Sequence, residues 1–185
     1  MKKIYTLFAM AMMALAFTSC EDEAIAYDLE GTWRGEMRIA SKYDGKIYNS
    51  TYTEITFDKN PYEYASGTGS WVDYYDDYGW GTDYVANHIT WEVSNRVIRI
   101  WFRNERTYME IRDYSLSDTR FEGTIYEDDH YVDFWMTKIA RPNRYNSYRW
   151  DYYDYDYYWA RTRAEGGDTT EVRDMPIRFL NPEQK

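Results

Sequence analysis

The chain has 185 residues, 22 Lys and Arg against 32 Asp and Glu for a net charge of −10, and 20% aromatic residues, among them 22 Tyr and 8 Trp. An acidic balance without clustered Lys and Arg argues against nucleic acid and against charge-driven docking on anionic lipid. The aromatic content argues against a disordered acidic chain, and a single cysteine excludes an intrachain disulfide.

Lys2 and Lys3 precede an apolar run from Ile4 to Phe17, and Thr18-Ser19 lead to Cys20. That order is a secretory signal, because about fourteen helical residues reach only ~21 Å, short of a roughly 30 Å hydrocarbon core. Phe17-Thr18-Ser19-Cys20 resembles the lipobox of bacterial lipoproteins, with Phe17 where Leu is usual. The resemblance implies a signal peptide at residues 1–19, cut before Cys20, and acylation of the Cys20 thiol with fatty acid such as palmitate. Two or three acyl chains anchor stably where one does not. The mature chain would carry 20 basic and 32 acidic residues, a charge of about −12, and no free thiol. Glu21-Asp22-Glu23 is similar to an export signal of some gut-bacterial surface lipoproteins. The expectation is therefore an outer-membrane lipoprotein on the cell surface or periplasmic face, with residues 20–28 as an acidic tether.

From Thr32 onward the dominant period is two, which predicts strands. Over Thr32 to Ile39, Trp33, Gly35, Met37 and Ile39 share one face while Arg34, Glu36 and Arg38 share the other. Further strands are predicted near Thr51–Phe57, Tyr62–Trp71, Tyr84–Val93, Arg96–Arg103, Thr107–Asp113, Arg120–Tyr126 and Tyr131–Ile139. Short links such as Ser94-Asn95, Asn104-Glu105-Arg106 and Glu127-Asp128-Asp129-His130 imply antiparallel neighbours in chain order. No apolar stripe of 3.6-residue period is long enough for a major helix. The fold expected over residues 29–141 is all-β, a single eight-stranded antiparallel up-and-down barrel, closed so that no edge strand remains. Its interior would hold Met37, Ile55, Phe57, Ile89, Trp91, Ile98, Ile100, Met109, Ile111, Phe134 and Met136. Eight strands leave room for side chains alone or for one small ligand.

Leu29-Glu30-Gly31-Thr32-Trp33 resembles the Gly-x-Trp opening of lipocalins and related calycins. Ser66-Gly67-Thr68-Gly69, Ile89-Thr90-Trp91-Glu92-Val93, Ile111 to Ser117 and Phe121-Glu122-Gly123-Thr124 are similar to bacterial lipocalin-like lipoproteins. The resemblance implies that Gly31 and Trp33 close the barrel floor, with Trp33 stacked under a basic residue, either Lys138 or Arg141. The chain departs from secreted lipocalins in lacking disulfides and a recognisable C-terminal helix.

Two stretches are rich in Tyr and Asp. Trp71 to Tyr84 holds six aromatics and four Asp, and Tyr145 to Trp159 holds nine aromatics with Asp151, Asp154 and Asp156. Flat amphipathic rings beside carboxylates suit sugar recognition, which makes Trp71, Tyr74, Tyr75, Tyr78, Trp80 and mid-barrel Trp91 the candidate ligand contacts. Alternatively the rings pack on the barrel under nearby arginines such as Arg149. Arg141-Pro142-Asn143 ends the last strand, so residues 142–185 read as an irregular Tyr/Asp/Arg-rich extension, with Met175–Leu180 packing back as a short extended piece. His88 in a strand and His130 in a turn make no catalytic pair, and no cofactor motif or zinc ligand set is present. Asp73, Asp76 and Asp77, or Asp151, Asp154 and Asp156, lack the spacing of a calcium loop. The function expected is non-enzymatic binding of a glycan fragment or small apolar molecule by a lipid-anchored envelope protein. The alternative is a structural or assembly lipoprotein that contacts another envelope protein and binds no small molecule.

Overall fold

The computed structural model describes residues 21–103, 105–139 and 176–184. The signal at 1–19, Cys20, Arg141 and the Tyr145–Trp159 stretch lie outside the described residues. Residues 21–29 form a helix, α1. The strands are β1 (Gly31–Glu36), β2 (Ile39–Tyr43), β3 (Lys46–Asn49), β4 (Tyr52–Lys59), β5 (Ser66–Tyr74), β6 (Tyr84–Ser94), β7 (Val97–Phe102), β8 (Thr107–Leu116), β9 (Arg120–Glu127), β10 (His130–Ile139) and β11 (Ile177–Leu180). Among the described residues no helix is long and apolar enough to cross a membrane.

Eight of these strands close into an antiparallel barrel in the order β1-β10-β9-β8-β7-β6-β5-β4, with β1 also pairing β4. All eight correspond to strands expected from the two-residue period. Turn chemistry sets the register: Asn95 and Arg96, both at positive φ (52° and 63°), join β6 to β7 in the mirror-image turn that matches strand twist. Gly67 and Gly69 let β5 approach its neighbours; a Cβ on Gly67 would sit 2.0 Å from the Asp58 carbonyl oxygen and 2.8 Å from the Trp91 ring. All eleven expected interior side chains belong to one buried core. Trp33, Phe57, Trp71, Phe102 and Phe121 are fully buried there, so the barrel is filled rather than hollow.

Four expectations are corrected. The first strand does not run through to Ile39: Arg38, at φ 49°, breaks it, and the chain continues as the β2–β3 hairpin. That hairpin turns on Asp44-Gly45, whose φ values of 48° and 73° suit the tight turn for which Asp-Gly is the strongest signal. The strand placed at Tyr62–Trp71 is displaced, because Asn60 accepts the Tyr62 backbone N–H at 3.0 Å and, with Pro61, holds a turn before Ser66. Asp73 and Tyr74 consequently belong to β5 rather than to a loop.

The fourth correction is the tether. Residues 21–28 are helical and docked across the lower end of the barrel, where β1 begins. Asp22, Ile25, Ala26 and Leu29 follow the i, i+3, i+4, i+7 spacing of one helix face, and Ala26 and Leu29 are fully buried in the barrel core. The Asp22 carboxylate accepts the backbone N–H groups of Asn95 and Arg96, both at 2.9 Å. Glu21 and Glu23 pair with Arg96 and Lys59. The upper end is covered by a second sheet, β11-β2-β3, in which the extended piece foreseen before Leu180 is β11, paired antiparallel to β2.

Candidate functional site

The Gly-x-Trp motif works as a clamp on the C-terminus of α1. Helix ends leave carbonyls without intrahelical donors and carry partial negative charge. Trp33 Nε1 donates to the Leu29 carbonyl at 2.8 Å, and Lys138 Nζ donates to the Asp28 carbonyl at 3.1 Å. Lys138 Nζ also lies 4.8 Å from the Trp33 ring centroid, the place expected of the basic partner, while the other candidate, Arg141, lies outside the described residues. Gly31, at φ 131°, passes so close that a Cβ there would meet Lys138 Cε at 2.8 Å.

The rings named as candidate ligand contacts are mostly inside the protein, in keeping with the packed alternative. Trp71 is fully buried and donates to Asp73 at 2.8 Å; Trp91 is buried and donates to the Thr68 carbonyl at 2.9 Å. Tyr75 is buried, with its hydroxyl 2.8 Å from Ser41 Oγ, and burial pushes its pKa far up. Trp80 is buried edge-on against Tyr43, Tyr48 and Tyr75. Tyr74 stacks on Tyr52 at 4.5 Å, and Tyr78 is 43% exposed beside Trp80. The stretch therefore glues its loop to the β2–β3 hairpin. Asp73 is fully buried inside, apart from exposed Asp76 and Asp77, so these three do not converge on an ion. His88 lies mid-β6 and His130 opens β10, strands that are not neighbours. No group of His, Cys, Asp and Glu among the described residues is spaced to hold a metal ion.

A groove of about 750 Å³ opens instead on the outer face of β5 to β8. Thr68, Thr90, Trp101 and Tyr108 pair in register across the four strands and form one row of its floor. Ser66, Glu92, Arg99 and Glu110 form the adjoining row, and the β4–β5 loop supplies Asn60 and Glu63 as a wall. Trp101 is 43% exposed and Tyr108 52%, on adjacent strands. Beside them Arg99 Nε donates to Glu110 at 2.7 Å and Arg99 Nη1 to Glu92 at 3.5 Å, while Arg112 donates to the other oxygen of Glu110. The Arg99 hydrogen bond, with help from Arg112 and against partial burial, holds the Glu110 carboxyl below its ordinary value. Flat rings next to fixed carboxylates and a guanidinium offer stacking together with acceptors and donors for hydroxyl groups. Of the candidate contacts named from the sequence only Trp91 borders this groove; sequence reasoning missed the rest of it, although β7 alternates Ile98, Ile100 and Phe102 inward with Arg99 and Trp101 outward, and an outward Trp was the available signal.

Residues 29–123 match the family described as Lipocalin-like domain. No curated protein matches the chain.

Proposed function

The chain belongs to the lipocalin-like domain family, and on that footing we propose that it is a lipid-anchored, non-enzymatic envelope protein that binds a glycan fragment on the outer face of its barrel. The observation that carries this reading is the exposed Trp101–Tyr108 pair, directly opposed on β7 and β8 beside the Glu92–Arg99–Glu110 row. A sugar ring laid on the Trp and Tyr faces would place its hydroxyls against groups already oriented by their own ion pairs, which lowers the ordering cost of binding. An apolar ligand is disfavoured, because the interior volume it would need is taken by Trp33, Phe57, Trp71, Phe102 and Phe121. The acyl anchor at Cys20 and an outer-membrane location follow from the leader, and the docked α1 sets the barrel immediately beyond the anchor.

Glycan-array screening followed by calorimetry tests the reading. A hit should weaken about tenfold or more in Trp101→Ala and in Tyr108→Ala, with the urea midpoint of each variant close to that of the parent. A hit indifferent to both substitutions would move the site elsewhere. No glycan response, together with recovery of a defined envelope protein on the same face, would replace the reading with the assembly role.

A further inference from the structure

The upper end of the barrel holds a feature that neither the fold nor the outer groove uses. Arg178 reaches from β11 into the barrel with its side chain fully buried. Its Nε lies 2.8 Å from Asp73 Oδ2 and its Nη1 3.8 Å from Glu105 Oε1. Its guanidinium carbon lies 4.6 Å from the Phe102 centroid and 5.7 Å from that of Trp71. A guanidinium packed over two touching rings and against two carboxylates is bound as a ligand would be.

The seat is built without β11. Asp73 Oδ1 accepts Thr53 Oγ1 at 2.7 Å and Trp71 Nε1 at 2.8 Å, so β4 and β5 alone fix the carboxylate. Asn87, directly opposite Trp71 on β6, is fully buried, and neither atom of its amide has a partner. An unmet buried amide beside a fixed carboxylate is costly for a finished core and useful to a ligand with polar atoms beyond its cation. Among the described residues β11 is by contrast a four-residue edge strand paired with β2 alone; Ile177 beside Arg178 is 67% exposed, and besides Arg178 the strand's inward anchor is Leu180, whose N–H donates to Glu127 at 2.9 Å. The barrel closes on itself without it, so β11 can open locally while the barrel stays folded.

We propose that this end of the barrel is a second binding site, a seat for a guanidinium or primary ammonium group on a small molecule, filled in cis by Arg178 and vacated when β11 lifts. Binding at a seat occupied in cis is weakened by the fraction of molecules that are open. Removing Arg178 therefore strengthens binding, the reverse of what deleting a contact residue does. This site is independent of the outer groove and would be untouched by Trp101→Ala.

N-Butylguanidinium and its neutral, similarly shaped counterpart N-butylurea provide the probes. With the parent protein, N-butylguanidinium should raise hydrogen exchange at the 177–180 amides in proportion to its concentration, leave the barrel amides unchanged, and be unmatched by N-butylurea. Arg178→Ala should bind N-butylguanidinium at least about a hundredfold more tightly than the parent, and adding Asp73→Asn should abolish that binding. Unmoved exchange at 177–180, an equal effect of N-butylurea, or weaker binding by a folded Arg178→Ala would each overturn the proposal. Should either variant fail to fold, the exchange measurement on the parent protein decides alone.

Discussion

Asp73 and Arg178 form a fully buried pair, in which desolvation pushes the carboxyl pKa up and the guanidinium opposes it. Breaking such a pair leaves one buried charge uncompensated. Arg178→Met and Asp73→Asn should each cost about 3–5 kcal/mol in urea denaturation, and the double change should cost less than their sum. Glu110 titrates in the opposite sense. Its folded pKa lies below the ordinary 4.5, so the stability it contributes is complete above that value and lost as pH falls through the folded one. Glu110→Gln should therefore flatten the decline of the urea midpoint below about pH 4.5 and change its shape little at pH 7. An unchanged acid limb would show that the Arg99 and Arg112 bonds do not couple to folding. Sequence did not place Asp73 beside Arg178, because more than a hundred residues separate them, whereas Arg99 and Arg112 meet Glu110 within one hairpin.

At the scale of elements, α1 is held at both ends by groups outside it. Asp22 binds the β6–β7 turn near its start, and Trp33 and Lys138 bind its last carbonyls. Asp22→Ala should lower stability by about 1–2 kcal/mol and loosen exchange at 21–29 before that of the barrel. In β5, Gly67→Ala forces a methyl against the Asp58 carbonyl and the Trp91 ring, and a loss of about 1–3 kcal/mol is expected in the same assay. A neutral outcome would mean that β4 and β5 separate there at little cost. The barrel strands were legible because alternation of buried and exposed residues is a local property. The β2–β3 hairpin was equally legible in Asp44-Gly45, and α1 in the spacing of Asp22, Ile25, Ala26 and Leu29, but both are short and follow stronger signals.

For the whole molecule, the docking of α1 fixes how the barrel meets a bilayer once Cys20 carries its proposed acyl chains. Cys20 directly precedes the helix, so in the proposed acylated protein the lower end, with the Asn95-Arg96 turn, would face the headgroups and the β11-β2-β3 sheet would face away. Paramagnetic headgroup lipids should strongly broaden a probe at Asn95→Cys and spare one at Asp44→Cys in the acylated protein. Equal broadening would mean that α1 undocks on the membrane.

Local chemistry was enough to read an all-β chain with eight barrel strands, the residues of its core and a Gly-x-Trp opening, since period and turn residues are written within a few neighbouring positions. Which rings face solvent could not be read that way. Trp71, Tyr75 and Trp80 look like binding residues by composition and are buried away from the groove, whereas Trp101 and Tyr108 look ordinary and line it. Exposure depends on what covers each face, and here the cover is supplied by the β2–β3 hairpin and by a strand from the far C-terminus. Arg178 meets Asp73 across more than a hundred residues of chain, a contact brought about by the pairing of β11 with β2 over the end of the barrel.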